Sequence, residues 1–172
     1  GLVFAQTEST LATVVNAGQA AALLREPAEL PALLDTTLDW LQDAPAERRV
    51  LVLGDPLYPH NLLATEDPPL LLYAMGRPEV WSQNLMNTAN CLAVVGSRNP
   101  SPQGVANARQ FAQALAQSGL CIVSGLALGV DGAAHKGALD GANQDAMATS
   151  AVVGTGLDRV YPRQHRELAH RI

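Results

Sequence analysis

Leu92-Ala-Val-Val-Gly-Ser-Arg98, Leu120-Cys-Ile-Val-Ser-Gly125 and Ser150-Ala-Val-Val-Gly-Thr-Gly156 decide the fold of this 172-residue chain. Each is a short apolar run that stops at a glycine with a hydroxyl or basic side chain close by. Runs this short between turn signals are the pattern of buried strands. Between the first two, Ser101-Pro102 predicts an N-cap followed by proline at the first helical position. Val105, Ala108, Ala112 and Leu115 then repeat at spacings of three, four and three until Gly119 stops the helix. Between the second and third, Asp131 is expected to cap a short helix running through Asp140, with Gly141 just past its end. The order strand–helix–strand–helix–strand is the βαβαβ half of a doubly wound, mainly parallel α/β sheet. Strands apolar throughout predict helices on both of its faces.

In a parallel sheet the three glycine loops share one edge, where open α/β sheets bind their ligands. Glycine lets a backbone N–H come close to a phosphate, and a following helix adds unpaired N–H groups and its positive dipole end. Gly96, Ser97 and Arg98 form the first loop, and Arg98 can fork onto phosphate oxygens. Ser124 and Gly125 open the second loop, while Gly154, Thr155 and Gly156 form the third. Ser97, Ser124 and Thr155 each offer a hydroxyl. Three such loops in register predict an anion site.

What the loops lack narrows the anion. Gly96 does not open a G-x-G-x-x-G motif, and Gly154-Thr-Gly156 has no third glycine. No acidic residue follows the first strand at the ribose-binding distance, which argues against NAD. The only lysine, Lys136, falls in the second helix, so a P-loop is excluded. No Cys/His spacing resembles a zinc site, and no cofactor or metal is expected. Ser124, His135 and Asp131 can be imagined as a nucleophilic triad, but Val-Ser-Gly-Leu is not a G-x-S-x-G elbow. His135 lies one helical turn after Asp131, where a hydrogen bond orienting the loop is the better role. Cys91 and Cys121 begin adjacent strands and read as buried thiols. His60, His165 and His170 read as solvated or capping residues.

Upstream, Gly1 to Asp43 is rich in Ala and Leu and reads as short helices, with Leu34, Leu38 and Leu41 on one helical face. Residues 1–45 are expected to form a small helical module, too short for a robust core of its own. From Arg49 the pattern changes, and residues 46–172 are expected to form the α/β domain. Val50-Leu-Val-Leu and Leu70-Leu-Leu-Tyr-Ala-Met predict two lead-in strands, placed against the sheet that follows. Residues 1–87 carry a net charge of −7 and residues 88–172 a net of +2. That division suits a polyanion facing the second half, although two ordinary solvated surfaces would produce it too. The longest apolar run has six residues, far short of a membrane span. No basic segment followed by an apolar run opens the sequence and two cysteines make no disulfide framework, so no secretory signal and a cytoplasmic protein are expected.

Three motifs in order now carry a resemblance: Gly96-Ser-Arg98, Ser124-Gly-Leu-Ala-Leu-Gly-Val-Asp-Gly-Ala-Ala-His135 with Ala138-Leu139, and Val153-Gly-Thr-Gly-Leu-Asp-Arg-Val-Tyr-Pro162. Together with Tyr58-Pro59, Asp67-Pro-Pro69, Leu72-Tyr73 and Gly76, they closely resemble the DNA-processing protein A (DprA/Smf) family over residues 50–172. The helical start resembles that family's SAM-like N-terminal module. The resemblance implies an extended Rossmann-like fold and a non-enzymatic role in natural transformation: binding incoming single-stranded DNA and helping load RecA onto it. Carried over by motif, the DNA pocket would comprise Gly96, Ser97, Arg98, Ser124, Gly125, Leu126, Ala127, Gly129, Gly154, Thr155 and Gly156, with Lys136 adding backbone charge. Many relatives have Arg or Lys where this chain has Leu128, which implies a less basic pocket. The family's domain continues beyond the equivalent of Ile172, and its dimer and RecA surfaces lie in that later part. The α/β domain is therefore expected to be truncated at its C-terminal side.

Two other readings stay open. One is a nucleotide-binding enzyme of the phosphoribohydrolase-like Rossmann type, which would want a carboxylate near a P-G-G-x-G-T loop. The other is a protein-interaction module in which the sheet is scaffold.

Overall fold

Local capping rules place the helices at the start of the chain. In the computed structural model, which describes residues 3–142 and 147–172, the chain divides into two compact units, Gly1–Pro45 and Ala46–Ile172. The first holds α1 (Glu8–Leu11), α2 (Ala17–Leu23) and α3 (Leu30–Asp43). Thr7 caps α1. At α2 a capping box closes reciprocally, with Gln19 N–H donating to Asn16 Oδ1 at 2.9 Å and Asn16 N–H donating to Gln19 Oε1 at 3.1 Å. Ala20 is buried, whereas Leu34 and Leu38 on α3 are about half exposed.

The second unit begins with β1 (Arg48–Val52), α4 (His60–Leu63), β2 (Leu71–Met75), α5 (Pro78–Ser82) and α6 (Leu85–Thr88). β1 and β2 pair antiparallel, Arg48 opposite Met75 and Val52 opposite Leu71, in a two-stranded sheet of their own. The expectation that they join the later sheet is corrected here. Their inner face closes on Leu51, Tyr58, Val80 and Trp81 instead. Tyr58 donates its hydroxyl to the Pro69 carbonyl at 2.7 Å, and Trp81 Nε1–H donates to the Glu47 carbonyl at 3.2 Å. The polar tips of Tyr58 and Trp81 thus find their partners within the lead-in.

β3 (Cys91–Ala93), α7 (Pro102–Gln117), β4 (Cys121–Ser124), α8 (Val130–Gly141) and β5 (Thr149–Ala151) follow, then a 3₁₀ turn (Arg163–His165) and α9 (Arg166–Ala169). The three strands are parallel in the order β3-β4-β5, with Leu92 opposite Ile122 and Ile122 opposite Thr149. This is the βαβαβ, Rossmann-like arrangement of an α/β fold. Ser101 caps α7 by accepting from Gly104 N–H at 3.1 Å, Pro102 opens it, and Gly119 follows its end at φ +87°.

Strands added always in the same direction by right-handed crossovers put both helices on one face. α7 and α8 accordingly pack on each other, and with Ile122 they form a core of Ala112, Ala116, Ala134 and Ala138. The expected cover on both faces is not what these residues build: Val95 and Val152 are 70% and 65% exposed. Small residues let the two helices touch backbone to backbone. A Cβ on Gly137 would strike the Arg109 carbonyl, and one on Gly141 the Gln113 carbonyl. Gly141 is therefore the last residue of α8 and part of its packing seam, rather than a residue beyond its end. On the outer surface, Arg109 and Asp140 join the helices through a 2.6 Å ion pair.

Candidate functional site

The loops after β3, β4 and β5 meet at the carboxyl edge of the sheet, and each is fixed by different means. In the second loop the backbone turns left-handed at Leu126, φ +58°, and again at Gly129, φ +84°. Gly129 has no alternative, because any Cβ there would run into the Ser97 carbonyl and Pro100. The same contact locks the first loop to the second, and Val130 N–H donates to the Ser97 carbonyl at 3.1 Å. Asp131, buried in the first turn of α8, accepts from Gly125 N–H at 3.1 Å and Ala127 N–H at 3.3 Å through one carboxylate oxygen. Its carboxylate thus occupies the anion seat that these N–H groups would otherwise offer to a phosphate. Gly132 N–H is likewise engaged by the Ala127 carbonyl. Asp131 organises this loop rather than serving as the N-cap, a position held by Gly129.

Two histidines complete the frame. His135 is fully buried, and its Nδ1 lies 2.7 Å from Thr149 Oγ1, which donates its hydrogen to the Ile122 carbonyl at 2.6 Å. Nδ1 must then be the donor, and the imidazole is neutral. Burial pushes its pKa down to about 4, with Asp131 pulling weakly the other way. His165, read from the sequence as solvated or capping, is buried instead, with Nδ1 2.9 Å from the Leu126 carbonyl across 39 residues of chain. It pins the third loop onto the second. Cys91 and Cys121 are register partners on β3 and β4. Burial, reinforced by Cys91, pushes the Cys121 thiol up to about 12, so it stays protonated.

A cleft of about 180 Å³ lies between the loops, lined by Arg98, Gly125, Ala127, Leu128, Val153, Gly154, Thr155, Tyr161 and Pro162. That is below the range of roughly 300–1,000 Å³ usual for pockets that enclose a small molecule. Of the residues predicted to form the site, Arg98, Gly125, Ala127, Gly154 and Thr155 converge here. Gly96, Ser97, Leu126, Gly129 and Gly156 belong to the same loops but do not line the cleft.

One expectation needs correction. Ser124 is buried and donates its hydroxyl to the Val94 carbonyl at 2.6 Å, tying β4 to β3, so it has no hydrogen left for a ligand. Lys136 is exposed on α8 and lines no part of the cleft. Ser97 keeps its hydroxyl within its own loop, accepting from Asn99 N–H at 3.0 Å.

The donors that remain are Arg98 and the third loop. Among the described residues no carboxylate pairs with the exposed Arg98, and the N–H groups of Gly154 and Thr155 make no hydrogen bond. Asp158 and Arg159, farther along this loop, neutralise each other at 2.9 Å, and the hydrogen bond from Arg159 holds the Asp158 carboxyl below its ordinary range. Among the described residues the cleft therefore carries one uncompensated positive charge beside two open backbone donors, with apolar walls from Leu128, Val153 and Tyr161. The sequence marks Tyr161 only as an aromatic that follows a motif loop, and does not mark Val153 as a wall residue. A lone aromatic four residues before a histidine gives no local sign that the loop folds back onto the one after β4.

The family model for DNA recombination-mediator protein A matches residues 49–172. The Smf protein of Synechocystis sp. is 40% identical over 122 residues, which is 71% of this chain and 29% of that protein. The X-ray structure of DprA from Streptococcus pneumoniae superposes with a TM-score of 0.61 at 31% identity, covering 98% of this chain and 57% of that one. DprA from Helicobacter pylori, whose structure describes a single-stranded DNA binding mode, gives a TM-score of 0.57 at 28% identity over 74% of this chain and 53% of that one. The chain spans about a third of the length of the curated relatives it matches. With the family match covering well over half its residues, the chain belongs to the DprA/Smf family of DNA recombination-mediator proteins.

Proposed function

We propose that this chain binds single-stranded DNA at the carboxyl edge of its parallel sheet and acts as a recombination mediator without catalysing a reaction. The observation that carries the reading is the Arg98 guanidinium, unpaired among the described residues, at a cleft that also offers the open N–H groups of Gly154 and Thr155. Phosphate contacts of this kind position a strand without reading its sequence, and they weaken as salt rises. The residues of the conceivable triad are engaged elsewhere: Ser124 on Val94, His135 on Thr149, and Asp131 on Gly125 and Ala127. A phosphoribohydrolase-like enzyme would want a carboxylate facing the cleft, and the lining residues supply none. Among the described residues no helix is long and apolar enough to cross a membrane.

On this reading the protein works in the cytoplasm during natural transformation and hands incoming strands to RecA. On this reading it does so with a second copy as partner. Fluorescence anisotropy with a labelled single strand and its duplex, for wild type and Arg98→Ala, tests the binding step. Wild type should prefer the single strand, and Arg98→Ala should weaken it about tenfold, the scale of one charge-assisted contact. Binding to neither form at low salt would defeat the proposal.

A further inference from the structure

We propose that Cys91 and Cys121 form an oxidisable dithiol, which a hydroperoxide converts into a reversible disulfide joining β3 to β4. The inference is independent of the cleft, since the pair lies at the amino ends of the two strands and the cleft at their carboxyl ends. Cys91 and Cys121 are register partners on parallel strands, so their side chains leave the sheet on the same face. Neighbouring strands run about 4.8 Å apart, within the roughly 4.4–6.8 Å between Cα atoms that a disulfide spans. The two thiols already meet in a side-chain hydrogen bond. The Cys91 thiol donates to the Ala89 carbonyl at 3.6 Å, so within the pair Cys121 is the donor.

The two sulfurs differ in access. Cys91 is half-buried on a strand that has no second partner among the described residues, whereas Cys121 is 1% exposed. A hydroperoxide therefore meets Cys91 first. The Cys91 sulfur takes the terminal peroxide oxygen, the O–O bond breaks, and the alcohol or water that leaves carries off the Cys91 proton. The Cys121 sulfur then attacks the resulting sulfenic acid. An S–S bond forms as the S–O bond breaks, and the oxygen leaves as water with the Cys121 proton. Two thiols thus give two electrons and two protons to one peroxide. Burial, then the charge and hydrogen bond of Cys91, hold the Cys121 proton in place, and the last two end once Cys91 is a sulfenic acid. The new bond closes a loop of about 30 residues that contains α7, and so clasps the first crossover of the sheet.

The test treats the reduced, intact chain with hydrogen peroxide and follows both sulfurs by mass spectrometry. Wild type should lose two hydrogens, keep no free thiol, and yield one pair of peptides linked through Cys91 and Cys121. A thiol reductant should reverse the change. Linked wild type should melt several degrees above the reduced chain, the shift expected for closing a loop of this length. Cys121→Ser should stop at a sulfenic acid on Cys91, trapped by dimedone. Cys91→Ser should keep its Cys121 thiol at the same peroxide dose. Wild type alone decides the linkage, so a variant that fails to fold leaves the test standing. A wild type that keeps both thiols, or that links two chains through Cys91, overturns the proposal. So does oxidation of Cys121 ahead of Cys91, or a linked chain that melts no higher than the reduced one.

Discussion

The loops after β4 and β5 are both glycine loops after apolar strands, yet they do opposite things. The β4 loop is closed upon itself. Asp131 takes its Gly125 and Ala127 N–H groups, His165 takes its Leu126 carbonyl, and Gly129 sits against Ser97 with no room to spare. The β5 loop is open. A Cβ at Gly154 would meet nothing within 4 Å, and its N–H has no partner among the described residues. A glycine-rich loop at a strand end is therefore not by itself a phosphate cradle. What decides the matter is whether the protein has already filled the cradle with a carboxylate of its own.

That contrast can be broken by substitution. Gly129→Ala should have the largest effect, about 4 kcal/mol of lost stability in urea denaturation. It adds a Cβ at a positive φ and drives it into the Ser97 carbonyl. Asp131→Ala should cost about 3 kcal/mol, because it leaves two loop N–H groups without their charged acceptor. Acidification should act on the same frame through His135. Its folded pKa, near 4, lies below the ordinary value of 6.5, so the unfolded chain binds the extra proton. The contribution is complete above pH 6.5 and is lost as pH falls towards 4, by about 3 kcal/mol at most. Thermal melts of wild type and His135→Gln across this window would show the slope in the first and its flattening in the second. Gly154→Ala should change stability by less than about 0.5 kcal/mol, as open space there requires.

The same contrast marks how far the sequence could be read. The Ser101-Pro102 start of α7, its end before Gly119 and the three apolar strands obey rules that act within a few residues, and all were legible. Arg98 was legible too, because a guanidinium just past a strand end is a local feature. The partners of Asp131 and His165 were not. The His165–Leu126 contact spans 39 residues, and the Asp131 carboxylate reaches its N–H groups only once the loop has turned left-handed at Leu126. Ser124 misled for the same reason, since its hydroxyl acceptor lies on the neighbouring strand. β1 and β2 were placed wrongly because strand signals do not name a partner. Their mutual antiparallel register and the Leu51–Tyr58–Trp81 core answer that only in three dimensions.

The central claim is that the exposed Arg98, and not the closed β4 loop or the self-neutralised Arg159, supplies the charge that meets the strand. The most direct measurement is the salt dependence of single-stranded DNA affinity for wild type, Arg98→Ala and Arg159→Ala. The slope of log K against log salt should fall by about 0.7 for Arg98→Ala, the value of one phosphate contact on a single strand, and stay at the wild-type value for Arg159→Ala. An unchanged slope and affinity in Arg98→Ala would contradict the account.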